Sequence, residues 1–248
     1  MIRVLRDADE LAREAAAYIV AIGRKALSER GRFNLLLAGG TTPAQTYRNL
    51  AESTRTDTAF WRNTHLYWGD ERLVPADDPE SNVRMARETL VDIVPVPAEN
   101  IHPVPVEIGD AKAAASSYAT LLPSKPDLVL LGLGEDAHIA SLFPGSDAVE
   151  ETSRRVVAVR GGDPLLWRIT ITPPVLNIAR EVLILVAGKR KAKALNSVFA
   201  KGGDARDIPG RLVRDRLWLA DRAAGRLLLQ RPCSENVTVE IEDAHDAV

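Results

Sequence analysis

Residues 127–144 read D-L-V-L-L-G-L-G-E-D-A-H-I-A-S-L-F-P, and the opening of this stretch decides the fold class. Its apolar run is short, uninterrupted and bounded by Pro126 and Gly132. A strand with one wet face alternates apolar and polar side chains; a strand covered on both faces does not. The run therefore predicts a strand over Asp127–Leu131 inside a parallel sheet. In an open sheet of that kind the ligand crevice lies beyond the carboxyl ends of the strands. Here that end carries Gly132, Gly134, Asp136 and His138, an acid and a histidine in a glycine-flanked loop.

Outward from this strand, helical and extended patterns alternate along the chain, as in a sheet wrapped by helices. Leu11, Ala15, Tyr18, Ile19 and Ile22 recur at helical spacing and mark a first helix ending near Gly31. Strands are expected at Phe33–Leu37, His65–Trp68, Arg155–Val159, Arg168–Thr172, Val182–Ala187 and Leu217–Ala220. Further helices are expected at Pro43–Ala51, Asn82–Leu90, Asp110–Leu122 and Lys189–Phe199. The proline-rich segment from Val91 to Ile108 reads as an irregular surface crossing. The fold expected is a single-domain α/β protein, a Rossmann-like and mostly parallel sheet with helices on both faces. That domain spans residues 1–231, and residues 232–248 form an acidic tail that reads as frayed.

Bulk composition narrows the ligand. The 248 residues carry 32 basic and 34 acidic side chains, a net charge of −2, so an electrostatic grip on nucleic acid is not expected. The single cysteine, Cys233, excludes an intrachain disulfide and fits a reducing compartment. The N-terminus lacks an apolar signal core, and Val182–Ala187 is too short to span a bilayer. A cytoplasmic protein with a small-molecule partner, with no membrane association and monomeric or weakly homo-oligomeric, is the expectation.

Three loops carry chemistry. Ala38–Pro43, A-G-G-T-T-P, joins a strand to a helix; Gly39 and Gly40 admit close approach of a ligand, Thr41 or Thr42 offers a cap, and Pro43 suits the first helical position. Its N–H groups suit a phosphate, although it matches neither the P-loop nor the dinucleotide fingerprint, and a plain structural turn reads equally from it. Gly69–Pro75, G-D-E-R-L-V-P, places charges where an apolar strand stops. Arg72 offers a planar fork to an anion, with Asp70 orienting it or a substrate hydroxyl; a solvated loop, with Ser81 as a helix cap, is the alternative. Gly188–Lys191, G-K-R-K, sets cations in a first helical turn against the macrodipole, a penalty that an anionic ligand removes. Arg168 is a fourth, weaker cationic candidate. Of the histidines, His65 reads as a packed or hydrogen-bonded strand residue, and His102 and His245 as incidental. With no H-x-x-x-H pair or cysteine cluster, no metal site is expected, and no G-x-S-x-G supports a serine hydrolase.

In order and spacing, G-G-T-T-P, G-D-E-R-L-V-P-x5-S-N, G-L-G-x-D-x-H-I-A-S-L-F-P, R-I-T-I-T and G-x-x-K resemble the 6-phosphogluconolactonase family. The resemblance runs from Phe33 to Asp221 and includes P-x-x-L-V at Pro209–Val213 and W-x-x-D at Trp218–Asp221. It implies the Rossmann-type fold shared with glucosamine-6-phosphate deaminases, hydrolysis of 6-phosphoglucono-δ-lactone in the oxidative pentose phosphate pathway, and no cofactor. On that basis His138 and Asp136 are the expected catalytic residues, His138 as the general base. Gly39, Gly40, Thr41, Thr42, Asp70, Arg72, Arg168 and Lys191 are the expected substrate-binding set. The deaminase relatives resemble D-G-H-I-A-F-N-E-P and M-D-E-Y, where this chain has Phe143 for the glutamate and Arg72 for the tyrosine. Loss of that carboxylate removes a proton-transfer group which an aldose–ketose isomerisation needs. A non-catalytic phosphosugar-binding module is the remaining alternative. One departure stands out: Ala137 occupies the usual glycine position between acid and histidine, which is strained by about 1 kcal/mol or more where φ is positive.

Overall fold

The computed structural model describes residues 1–230 and 239–241. Its centre is a seven-stranded sheet in the order β10-β1-β9-β8-β5-β2-β3, with every pairing parallel. The strands are β1 (Ile2–Leu5), β2 (Phe33–Leu37), β3 (Thr64–Trp68), β5 (Leu128–Gly132), β8 (Glu181–Val186), β9 (Leu217–Asp221) and β10 (Val239–Ile241). Leu128 to Leu131 of β5 and Val182 to Val186 of β8 are buried throughout, as unbroken apolar runs require when both faces are covered. At the amino end of β5 the buried Asp127 accepts hydrogen bonds from Arg30 Nε (3.0 Å) and from the backbone N–H of Asn34 (2.8 Å). It so fixes β5 against β2 at the edge opposite the crevice.

Helices α1 (Ala8–Arg30), α2 (Thr41–Thr54), α3 (Thr58–Arg62), α4 (Asn82–Ala86), α5 (Ala111–Leu121), α6 (Pro173–Ile178), α7 (Ala192–Phe199) and α8 (Arg222–Gly225) supply the crossovers. Local signals set the ends of α1: Asp7 caps Glu10 N–H at 2.9 Å, and Gly31 ends the helix at φ 69° while bonding Leu27 O. Among the described residues no helix is long and apolar enough to cross a membrane.

Several expectations change. Arg155–Val159 and Arg168–Thr172 do not enter the parallel sheet. They become β6 (Val156–Gly161) and β7 (Leu166–Ile171) of a second, three-stranded sheet, in which β7 pairs antiparallel with β6 on one side and with β4 (Asp70–Arg72) on the other. The hairpin between β6 and β7 is too short for the crossover that parallel pairing demands. The segment expected to be helical over Asn82–Leu90 is α4 followed by a π-helical turn at Arg87–Val91, and Lys189–Lys191 forms a 3-10 turn ahead of α7. Helix α2 starts at Thr41, so Gly40, at φ 101°, is its cap, and Pro43 lies two residues inside the start. The tail adds β10, paired with β1; the remaining tail residues, with Cys233 and His245, lie outside the described residues.

Candidate functional site

The chain leaves β2 toward β3 on one side and returns to β5 on the other, so the two connections diverge beyond Leu37 and Gly132. Such a switch point opens a crevice at the carboxyl ends of the strands. An open cleft of about 700 Å³ lies there, lined by the Gly39–Thr42 turn, Asp70, Arg72, Asp136, His138, Arg168 and Lys191. All ten expected site residues therefore meet in one place, although they come from five separate segments.

The His138 loop is held by its own backbone. Gly134 N–H bonds His138 O at 2.8 Å, and Ala137 O accepts Gly210 N–H at 2.9 Å. Asp136 Oδ1 lies 2.6 Å from His138 Nδ1 and also accepts the His138 backbone N–H at 3.2 Å. The hydrogen bond from the imidazole draws the Asp136 carboxyl down to about 2, so it is ionised wherever a neutral histidine exists. A carboxylate acceptor fixes the hydrogen on Nδ1 and leaves Nε2 as the basic nitrogen. Gly134 is required by this packing, since a Cβ there would stand 2.1 Å from His138 Nδ1. Phe143 lies against the imidazole, with ring centroids 4.8 Å apart, and the Arg168 guanidinium stands 5.7 Å from its centroid.

The same cleft is lined by three cations. Arg72 Nη1 donates to Glu80 O (2.6 Å) and Asn82 Oδ1 (2.8 Å), while its Nε is buried without a partner. Arg168 is buried, donates through Nε to Gly161 O at 3.0 Å, and is destabilised as a cation first by burial and then by Arg72. Lys191 is half-buried, and burial lowers its pKa against the opposing pull of Glu135. Among the described residues none of these three cations forms an ion pair. Like charges gathered in a partly desolvated cleft with an orphaned donor carry a cost that a bound anion would relieve. The first turn of α2 has no side-chain cap, so its N–H groups stay open to the same cleft.

Asp70 does not orient Arg72. Its Oδ2 accepts the Ser141 hydroxyl at 2.6 Å, and Asn82 Nδ2 donates to its backbone oxygen at 2.8 Å. The orienting role falls to Asn82, which lies so close to the A-G-G-T-T-P turn that a Cβ on Gly39 would stand 1.9 Å from Asn82 Oδ1. Ser81 does cap α4, accepting Arg84 N–H at 3.2 Å. Asp221, the last residue of W-x-x-D, caps α8 and accepts the Gly188 N–H at 2.9 Å, pinning the turn that carries Lys191. Asn82 and Asp221 stood in recognised motifs, but only tertiary contact reveals what they hold.

This assembly defines a class first: an open α/β protein with a cation-lined crevice and a histidine hydrogen-bonded to a carboxylate at the sheet's switch point. A family model described as glucosamine-6-phosphate isomerases/6-phosphogluconolactonase matches residues 6–219. The chain is 40% identical over 218 residues to a 6-phosphogluconolactonase of Synechocystis sp. (strain ATCC 27184 / PCC 6803 / Kazusa), covering 82% of this chain and 88% of that one. It is 39% identical over 238 residues to one from Nostoc sp. (strain PCC 7120 / SAG 25.82 / UTEX 2576), covering 90% and 96%. Among solved structures, 6-phosphogluconolactonase from Trypanosoma cruzi matches with a TM-score of 0.80 at 30% identity, covering 92% of this chain and 96% of that one. The chain belongs to the glucosamine-6-phosphate isomerase/6-phosphogluconolactonase family.

Proposed function

We propose that this protein hydrolyses 6-phospho-D-glucono-1,5-lactone to 6-phospho-D-gluconate, the lactonase step of the oxidative pentose phosphate pathway, and does so in the cytoplasm without a cofactor. The observation that carries the reading is the Asp136–His138 hydrogen bond of 2.6 Å in one cleft with Arg72, Arg168 and Lys191, none of which forms an ion pair among the described residues. A δ-lactone is an activated ester, so a positioned base and a held phosphate are sufficient chemistry.

In this reading His138 Nε2 takes a proton from water, whose oxygen adds to the lactone carbonyl carbon. The tetrahedral intermediate collapses by breaking the bond to the ring oxygen, and the imidazolium returns its proton to that oxygen. Asp136 keeps the imidazole in the correct tautomer and stabilises its charged form. The phosphate lies among the Gly39–Thr42 N–H groups, Arg72 and Lys191, with Arg168 beside Arg72 on the neighbouring strand, and its binding positions the lactone without taking part in the bond changes.

Within the same family, glucosamine-6-phosphate deamination is the rival. Phe143 argues against it, because an apolar ring against His138 stands where the resemblance gives the deaminases a proton-shuttling glutamate. The test offers the protein freshly prepared 6-phosphoglucono-δ-lactone and, separately, glucosamine 6-phosphate. Lactone consumption well above the spontaneous rate with no ammonia release is expected; ammonia release with only spontaneous lactone loss would overturn the assignment.

A further inference from the structure

Glu71 is the most thoroughly buried acid near the cleft, only 1% exposed, yet no cation pairs with it among the described residues. Its Oε1 accepts the backbone N–H groups of Arg72 (2.7 Å) and Asn82 (2.8 Å). Its Oε2 accepts the Val83 N–H (2.8 Å) and the Ser81 hydroxyl (3.1 Å). Three backbone N–H groups, which can only donate, and one hydroxyl converge on its two oxygens. Its pKa is raised, first by burial and further by Asp70, against the three N–H groups that hold it down. A buried acid held by backbone N–H groups and no direct ion pair is a costly way to hold a loop, so its contacts point to a specific geometric task.

The geometry points to Glu71 as the positioning residue for phosphate recognition. The carboxylate ties the end of β4 to the start of α4 and closes the excursion between them. Two of its donors are the backbone groups of Arg72 and Asn82, and the side chains of these same residues are bonded to each other at 2.8 Å. Asn82 in turn packs against Gly39, in the other anion-binding loop. One carboxylate thereby sets the fork of Arg72 and the spacing between the two loops, while touching neither the cleft nor the reacting atoms. This rests on the phosphate site proposed above.

The discriminating readout is the ratio of kcat/KM for 6-phosphoglucono-δ-lactone to that for unphosphorylated glucono-δ-lactone. In Glu71→Gln, whichever way the amide is turned, its NH2 group faces at least one backbone N–H that it cannot satisfy. The ratio should fall roughly tenfold, mainly through KM of the phosphorylated substrate, the size expected when a charge-assisted hydrogen bond is lost. A role in stability alone lowers both substrates together and leaves the ratio unchanged, which would overturn the inference. Arg72→Ala separates the two layers. If it leaves the ratio intact, the phosphate site itself is wrong; if it lowers the ratio and Glu71→Gln does not, only the role of Glu71 fails. Should the glutamine variant not fold, Glu71→Asp keeps the charge but withdraws it by one methylene. It must show the same selective fall, and an unchanged ratio counts against Glu71.

Discussion

At φ 70° the backbone of Ala137 lies in the left-handed region, where a Cβ crowds the following carbonyl at a cost of about 1–2 kcal/mol. Ala140, at φ 47°, shares that region, so two strained alanines flank the His138–Ile139 dipeptide. The strain is held in place by backbone bonds from Ala137 to Gly134 and Gly210 and by the buried Ser141–Asp70 contact. Strain relief of about 1–2 kcal/mol in Ala137→Gly is partly offset by unfolded-chain entropy and by loss of a buried methyl, so the expected net gain is a few tenths of a kcal/mol, raising Tm by about 1 °C. A thermal melt reads this directly, and an unchanged or lower Tm would show that the turn carries no strain. The departure at Ala137 was visible in the sequence as a missing glycine. The second strained position, Ala140, was not, because no motif marked it and only the fold imposes its φ.

At the scale of elements, the edge of β3 carries a histidine pair that sequence patterning did not join. His65 Nδ1 and His102 Nε2 are 3.1 Å apart, with ring planes 9° apart and centroids 5.4 Å apart. Those distances place the rings edge to edge in a common plane, sharing one hydrogen. His102, read as incidental, also stacks on Tyr67 at 4.5 Å, and the Tyr67 hydroxyl accepts from Arg32 at 3.0 Å. Burial, Arg32 and His102 push His65 down to about 4, against a weak opposing pull from Glu99. The folded state thus keeps His65 neutral while the unfolded chain protonates near 6.5. Stability from this group is complete above pH 6.5 and is lost as pH falls toward 4. Asp136 contributes in the same sense but at lower pH, since its stabilisation is present above the ordinary carboxylate range and is lost as pH falls toward 2. Tm of the wild type should fall more steeply between pH 7 and 4.5 than that of His65→Gln; parallel curves would contradict the assignment. Core strands such as β5 and β8 were legible because burial on both faces writes itself as an apolar run. Strand β4 was not, because its D-E-R residues are all charged, with Asp70 and Glu71 buried beside the site and outside the apolar core. Nor were β1 and β10, whose I-R-V-L and V-E-I are too short and too charged to show a pattern.

For the whole molecule, the parallel sheet puts the base and the cations at one switch point, and the small antiparallel sheet brings Arg72 and Arg168 to the same cleft. The order of motifs in the sequence announced the set; their convergence depends on a strand order that local patterning does not encode. The mutual arrangement of Arg72, Asn82 and Gly39 belongs to this level too, and Gly39→Ala should raise KM for the phosphorylated lactone by displacing Asn82, with initial-rate kinetics as the check. The central claim, however, is that His138 is the base for lactone opening. Steady-state rates on fresh 6-phosphoglucono-δ-lactone, corrected for spontaneous hydrolysis, test it in His138→Ala. The account predicts kcat lower by roughly 10²–10⁴ with KM little changed, because phosphate binding is separate from the base. A His138→Ala enzyme with near-wild-type kcat would contradict it.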